Sequence, residues 1–419
     1  LWISQSDNHW QLTKLTNGTY SLCVPNRTQG SFNSNGVLQQ ISDAWGNSLT
    51  FTYNASNQVL TNILHSNGQY LKFSYESNKL AKVETPSTNL YLMFKYDGNG
   101  DLTNVFRIAS NVTYSTAYSY DTNHCITQQI GSAGTTNVYL YSGNKCTNLV
   151  VAGSYYQHSL VYSTNNSTDV SYVRGNTNQL HTYYYDPDSF RITEEDGPNS
   201  ASLKHTYGHD IYLNVTNETI QDTSINESIT VWRRFDGVHH NVTNVLAAYC
   251  ATPSNAWVYG WNTNELWETL ALITDPEGRK TAMEYTNGLP SRIRLYWDSS
   301  NSYDTILAYT SNGLLSCITN ANQHSVQYYY NNYGFATSVV PQVGPETQFS
   351  NNILGYTTAI MKPNDEPESY WRTTTFDVDE LGRIKKITYP YTNYFETFAY
   401  DKVGNLTNHV DTAGRATRF

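Results

Sequence analysis

Aromatic residues return along this chain at an interval too even for unrelated elements. Tyr53, Tyr75, Tyr96, Tyr120 and Tyr141 follow one another at spacings of 22, 21, 24 and 21 residues. After a looser middle the interval resumes at Tyr285, Tyr309 and Tyr330, then at Phe376 and Tyr400. A period of this length marks a chain built by stacking one supersecondary unit. Such an array grows by addition, so its 419 residues need not divide into compact cores.

Each unit holds two turns. A glycine stands four residues after the aromatic anchor at Tyr96 and Gly100, Tyr309 and Gly313, Tyr330 and Gly334, and Tyr400 and Gly404. A second turn string runs from Asp43 to Gly46, from Asp275 to Gly278 and from Asp411 to Gly414; the first two begin ten residues before the next anchor. Asp bonds its own turn backbone and Gly adopts positive φ, which is what short hairpin connections need. Between turns, LTFTY ending at Tyr53 and LKFSY ending at Tyr75 alternate large apolar with polar residues, the pattern of half-buried strands. About sixteen hairpins cannot each bury a face alone. Paired side by side they form one antiparallel sheet whose twist coils it into a spiral or hollow shell. Tyrosine suits the anchor because its ring covers the neighbouring hairpin while its hydroxyl reaches water or a carbonyl.

Composition agrees with an all-β chain: 36 tyrosines, only 14% charged residues, and abundant Thr, Ser, Asn and Gly. A net charge of −10 leaves no basic stripe for phosphates, which argues against nucleic acid and against an anionic membrane surface. No apolar run approaches the roughly 20 residues of a membrane-spanning helix. Leu1 is not a natural start, and the chain stops at Phe419 where another strand is expected, so it reads as a segment of something longer. Cys23, Cys125, Cys146, Cys250 and Cys317 lack CxxC spacing. Cys125 and Cys146 each follow an anchor by five residues; equivalent places in adjacent repeats stand roughly 10 Å apart, so free thiols are expected.

These motifs resemble the YD repeat of bacterial Rhs proteins, a Tyr-Asp turn, a Gly-Arg or Gly-Asn pair and an apolar strand. The residues that carry it are Tyr96 and Asp97 with Gly100, Asp275 with Gly278 and Arg279, Asp377 with Gly382 and Arg383, Tyr400 and Asp401 with Gly404, and Gly414 with Arg415. Residues 1–35 read as the entry to the array, 36–207 as repeats, 208–270 as degenerate repeats or a loop insertion, and 271–419 as repeats again. Within 143–270 only Tyr162, Tyr185, Tyr207 and Phe235 keep time. The resemblance implies a hollow cocoon that encloses a toxic polypeptide until delivery, as in related insecticidal toxin complexes and animal teneurins. That family's core-closing segment with its aspartyl self-cleavage site is absent here, which leaves wall alone.

Few residues suggest chemistry. Glu194, Glu195 and Asp196 are adjacent on a strand, where neighbours point to opposite faces and cannot flank one bond. Asp377, Asp379 and Glu380 imitate a calcium loop but sit in the turn string FDVDELGR. His205 and His209 would share a helix face, yet HTYGH reads as strand. His239 and His240 adjoin Arg233 and Arg234 and read as a solvated loop. Trp257, Trp261 and Trp267 escape the repeat and could form a sugar-binding platform; the alternative is a wide hairpin with buried anchors.

The reading is therefore a non-enzymatic segment of an Rhs-like shell, secreted or at a cell surface, without cofactor or metal. Its expected partners are an enclosed polypeptide, the rest of a longer shell, and other copies through edge strands. The alternative is an extracellular carbohydrate-binding or carbohydrate-cleaving protein on the same scaffold, with glycans as ligands.

Overall fold

The computed structural model describes residues 2–3, 10–24, 28–56, 58–152, 157–163, 166–174, 177–197, 203–237, 240–246, 256–264, 267–298, 301–363, 371–391 and 394–419. These form 38 strands, from β1 (Trp2–Ile3) to β38 (Ala416–Arg418), with no helix among the described residues. Each strand pairs antiparallel with its neighbours in sequence, as β5 (Leu38–Ser42) does with β6 (Ser48–Tyr53), and β28 (Ser302–Tyr309) with β29 (Leu315–Thr319). The result is one unclosed meandering ribbon.

Alternation sorts its faces. In β6, Leu49, Phe51 and Tyr53 are half-buried while Thr50 and Thr52 are exposed. In β30 (Ser325–Tyr330), Val326, Tyr328 and Tyr330 turn inward against exposed Gln327 and Tyr329. The polar face carries ion pairs such as Arg294–Asp304 at 2.8 Å and Lys82–Glu84 at 2.6 Å. Among the described residues no second layer covers the apolar face. The accessible surface is 25782 Å², against about 16,000 Å² for a compact monomer of this mass.

Turns at both edges use one device. The Asp97 carboxylate accepts the backbone N–H groups of Asn99, Gly100 and Asp101 at 2.8–2.9 Å, and Gly100 takes φ 99°. Asp43 receives Trp45 and Asn47 in the same way, each at 2.9 Å. This is a type I turn closed by a left-handed residue. The N–H of Asp101 above all holds the Asp97 carboxyl below its ordinary value, because these bonds favour the charged form.

Contacts distant in sequence show the coil. The Asn47 side chain donates to the Asn312 carbonyl at 3.0 Å, Asn67 to Tyr333 at 2.9 Å, Gln69 to Ile353 at 2.8 Å and Ser132 to Lys402 at 3.3 Å. The β5–β6 turn thus stands against the β28–β29 turn, twenty-three strands later. One edge of the first gyre meets the opposite edge of the second, as in a spiral. With strands about 4.8 Å apart, the ring is roughly 110 Å around and 35 Å across. Barrels of eight strands are filled by their side chains, and those of about 16–18 leave a channel. A ring of twenty-three strands is hollow.

Candidate functional site

The anchors define a recurring backbone irregularity. A register shift falls immediately before Tyr53, Tyr75, Tyr96, Tyr120 and Tyr141. It recurs before Tyr185, His209, Phe235, Trp261, Tyr285, Tyr309, Tyr330, Asn351, Val378 and Tyr400. A bulge leaves a ladder group unpaired and bends the strand, so repetition along one ribbon helps to coil it.

In seven slots the anchor supplies a partner beside the preceding bulge. Tyr120 Oη donates to the Leu102 carbonyl at 2.8 Å, and Leu102 is the residue facing Tyr96 across the preceding bulge. Trp261 Nε1 reaches Val242 at 2.8 Å, Tyr285 Oη Leu270 at 2.8 Å, Tyr309 Oη Pro290 at 2.8 Å, and Tyr330 Oη Leu315 at 2.7 Å. Asn351 Nδ2 continues to Ala336 at 2.7 Å, and Tyr400 Oη bonds Ile384 at 3.0 Å. Each acceptor faces the preceding anchor. The slot therefore selects an N–H or O–H of suitable reach. Burial pushes the phenols of Tyr285, Tyr309 and Tyr330 above their ordinary value. Tyr53, Tyr75, Tyr96 and Tyr141 occupy the slot without such a bond among the described residues.

Several expected positions shift. Phe376 lies two residues before its bulge, where Val378 stands, and Tyr207 two before His209. The turn aspartate of FDVDELGR is Asp379, whose carboxylate accepts the N–H groups of Leu381 and Arg383, each at 2.9 Å. Asn351 was invisible as an aromatic, although the turn from Asn352 to Gly355 right after it marks the place. Asp401 accepts Val403 and Asn405 at 2.9 and 2.8 Å, beside Gly404 at φ 97°; Gly313 and Gly334 take φ 81° and 83°.

Cys125 and Cys146 are free thiols. They are not equivalent: Cys146 faces Tyr141, whereas Ile126 faces Tyr120, because the connection after Tyr120 is one residue longer. Cys250 lies outside the described residues.

The seam between gyres has one densely bonded point. Arg383 donates to the Tyr114 hydroxyl at 2.7 Å and to the Asp379 carboxylate at 2.7 Å, and lies 5.1 Å from the Tyr400 ring centre. Tyr114 is 6% exposed, and Ala109 nearby is equally buried. Across the same seam a Cβ added to Gly313 would stand 2.9 Å from Trp45.

The remaining candidates are paired or dispersed. Glu194 bonds Lys204 at 2.6 Å, with Asp196 3.4 Å from the same ammonium, while Glu195 meets His181 at 3.1 Å. His205 and His209 lie along one strand, β20 (Leu203–His209). His240 packs on Tyr212 at 3.8 Å between ring centres, Arg233 meets Glu218 at 3.3 Å, and Arg234 is exposed; His239 lies outside the described residues. No group of three or more His, Cys, Asp or Glu gathers at metal-binding distance among the described residues. Trp257 is 37% exposed on the same strand as Trp261, β24 (Trp257–Asn264). Trp267 opens the next strand, and its side chain lies outside what is described.

A hairpin-repeat ribbon coiled into a hollow wall is thus the class of protein that the geometry defines. No protein-family model and no curated protein matches the chain. Solved structures do. A TcdB2-TccC3-Cdc42 crystal structure shares the fold over 99% of this chain and 25% of its own, at 11% identity and a TM-score of 0.53. A mutant Photorhabdus luminescens Tc holotoxin pore covers 98% of this chain and 25% of its own, at 11% identity and a TM-score of 0.54. TcdB2-TccC3 without its hypervariable C-terminal region covers 96% and 24%, at 12% identity and a TM-score of 0.52. The likeness is one of fold, and this chain spans about a quarter of the length of those it matches.

Proposed function

We propose that this chain is a non-catalytic length of shell wall, of the Rhs type, that surrounds a polypeptide cargo such as a toxin outside the cell that makes it. The observation that carries this reading is the seam: gyres twenty-three strands apart are joined by side-chain hydrogen bonds, which turns an open ribbon into a wall around a lumen. A bare sheet for display needs no such closure. The solved structures of like fold add a toxin setting, a holotoxin pore among them. Opening the wall requires many short strands to part along a shared ladder, which suits containment.

The carbohydrate reading has less to stand on. Trp261 spends its indole N–H inside the anchor ladder, leaving Trp257 as the described tryptophan of that segment free to meet a sugar. A low-resolution envelope of the complete polypeptide that carries this segment tests enclosure. A hollow body with protein density in its lumen is expected; an open fibre, or a shell with an empty lumen, overturns it.

A further inference from the structure

Away from the anchors, a cleft opens on the opposite face of the ribbon. β22 (Glu227–Phe235) and β23 (Val242–Leu246) pair with Trp232 opposite Leu246 and Arg234 opposite Asn244. Residues opposed across a ladder share a face, as do residues two apart on a strand, so these four side chains stand together. Val231, Arg233 and Phe235 turn to the anchor face and are half-buried, whereas Arg234 is exposed and Trp232 is 51% exposed. Coiling a ribbon into a ring roughly 35 Å across crowds the concave side chains and spreads the convex ones, which sets the anchor face toward the lumen and Trp232 on the outside. Gyres meet edge to edge, so packing one on another leaves this face open.

The cleft holds about 340 Å³, within the range of small-ligand sites. Trp232, Leu246 and Ala256 form its apolar wall, while Thr216, Arg234 and Asn244 add polar groups. Thr216 is the residue that the bulge before His209 leaves over. Neighbouring Arg233 is spent on Glu218 at 3.3 Å, but among the described residues no carboxylate pairs with Arg234. Packing requires neither an open indole nor an unpaired guanidinium beside it.

We infer that this cleft takes a hexuronic acid unit of an acidic glycan on the outside of the wall. The indole offers a flat apolar surface to the C–H face of a pyranose ring. The Arg234 guanidinium suits a carboxylate bidentately, and the Asn244 amide and Thr216 hydroxyl suit ring hydroxyls. A neutral sugar leaves the guanidinium unused. An aromatic acid leaves the amide and the hydroxyl without partners, which costs part of what stacking gains. Trp257 is no part of this site, since it stands opposite Val245 on the face of Arg233. The inference goes beyond enclosure and is independent of what the lumen holds.

Calorimetric titration of the 419-residue chain with methyl glucuronide, methyl glucoside and benzoate provides the test. The glucuronide should saturate the site about tenfold more tightly than the glucoside, and added salt should weaken it by screening. Arg234→Gln should bring the glucuronide down to the affinity of the glucoside and leave the glucoside unchanged, while Trp232→Ala should abolish both. Both side chains are exposed, and far-UV circular dichroism checks that the strands persist. No saturable binding of the glucuronide in the millimolar range overturns the inference, as does equal affinity for the two sugars. Benzoate binding as tightly as the glucuronide overturns it in favour of an aromatic acid, and glucuronide binding unchanged in either variant places the sugar elsewhere.

Discussion

In the second gyre, connections that stand on the first gyre differ from connections elsewhere in the ribbon. In the second gyre the five that stand on the first gyre are all five residues long, at 310–314, 331–335, 352–356, 379–383 and 401–405. Away from the seam, lengths vary from the two residues at 143–144 to the ten between Leu246 and Trp257. The interval between bulges is 21–24 residues from Tyr53 to Tyr141 and 26 from His209 to Phe235 and from Phe235 to Trp261; between the seam-facing turns it reaches 27, from Asn351 to Val378, where the seven-residue connection between Pro363 and Trp371 faces away from the seam. The constant five-residue turn, rather than the interval between anchors, is therefore what accompanies contact between gyres in the second gyre. The second-gyre turns that stand on the first gyre keep one length, although the first-gyre connections they meet range from two residues at 110–111 to five at 43–47; a turn with nothing against it can lengthen, since an open loop costs little.

The strongest way to break this contrast is Arg383→Ala. Removing the guanidinium strands the Asp379 carboxylate and the buried Tyr114 hydroxyl, at a cost of about 3 kcal/mol. Chemical unfolding should show it as a lowered midpoint; a change within 0.5 kcal/mol, roughly the scatter of ordinary surface substitutions, would dissolve the seam's importance.

Insertion sharpens the comparison further. Three residues added between Asn332 and Tyr333 should cost about 2 kcal/mol, because the turn loses its bond from Asn67 and its place against the first gyre. The same three residues between Val343 and Gly344, on a free connection, should cost less than about 0.5 kcal/mol. Equal losses in thermal unfolding would refute the length rule.

Within the wall, the ladder predicts a smaller split. Tyr309→Phe removes the bond to the Pro290 carbonyl and should cost about 1 kcal/mol. Tyr53→Phe, in a slot whose hydroxyl has no such partner among the described residues, should be nearly neutral. Trp261→Phe should behave like Tyr309→Phe, with loss of stability marking a ladder residue.

Much of this architecture is legible in the sequence, and the exceptions have physical causes. Strand alternation around Phe51 and Phe73 and the Asp-to-Gly strings announce hairpins, because local chemistry alone decides them. The anchor slots are legible only where tyrosine fills them. The slot rewards a donor of the right reach, so Asn351 and Trp261 satisfy it without looking like the repeat. Phe376 looks like an anchor because its Asp and Gly follow, yet the bulge is fixed by the turn that Asp379 closes, two residues on. Which turns meet across the seam leaves no local mark: Asn67 and Tyr333 are 266 residues apart, and neither side of the contact depends on its own neighbours to specify the other.

The smallest effect separates turns that look alike. Thr310, Asn331, Asn352, Asp379 and Asp401 begin the five seam-facing connections, but only the last two titrate. For Asp401, desolvation raises the pKa and the bonds from Asn405, Val403 and Gly404 overcome it, so the carboxyl lies below its ordinary value; Asp379 is lowered in the same sense, with Arg383 prevailing over burial. A folded-state value below the unfolded one means stability that is fully present above about pH 4 and lost as pH falls through the folded-state value. The amide side chains of Asn331 and Asn352 accept the same backbone donors without a charge to lose. Amide hydrogen exchange, compared between neutral pH and pH 3 after correction for the intrinsic rate, should therefore show Leu381, Arg383, Val403 and Asn405 losing protection while Tyr333, Phe335, Leu354 and Tyr356 keep theirs. Loss of protection in all of these turns together would mean that the seam opens as one unit and that the choice of Asp or Asn is immaterial to it.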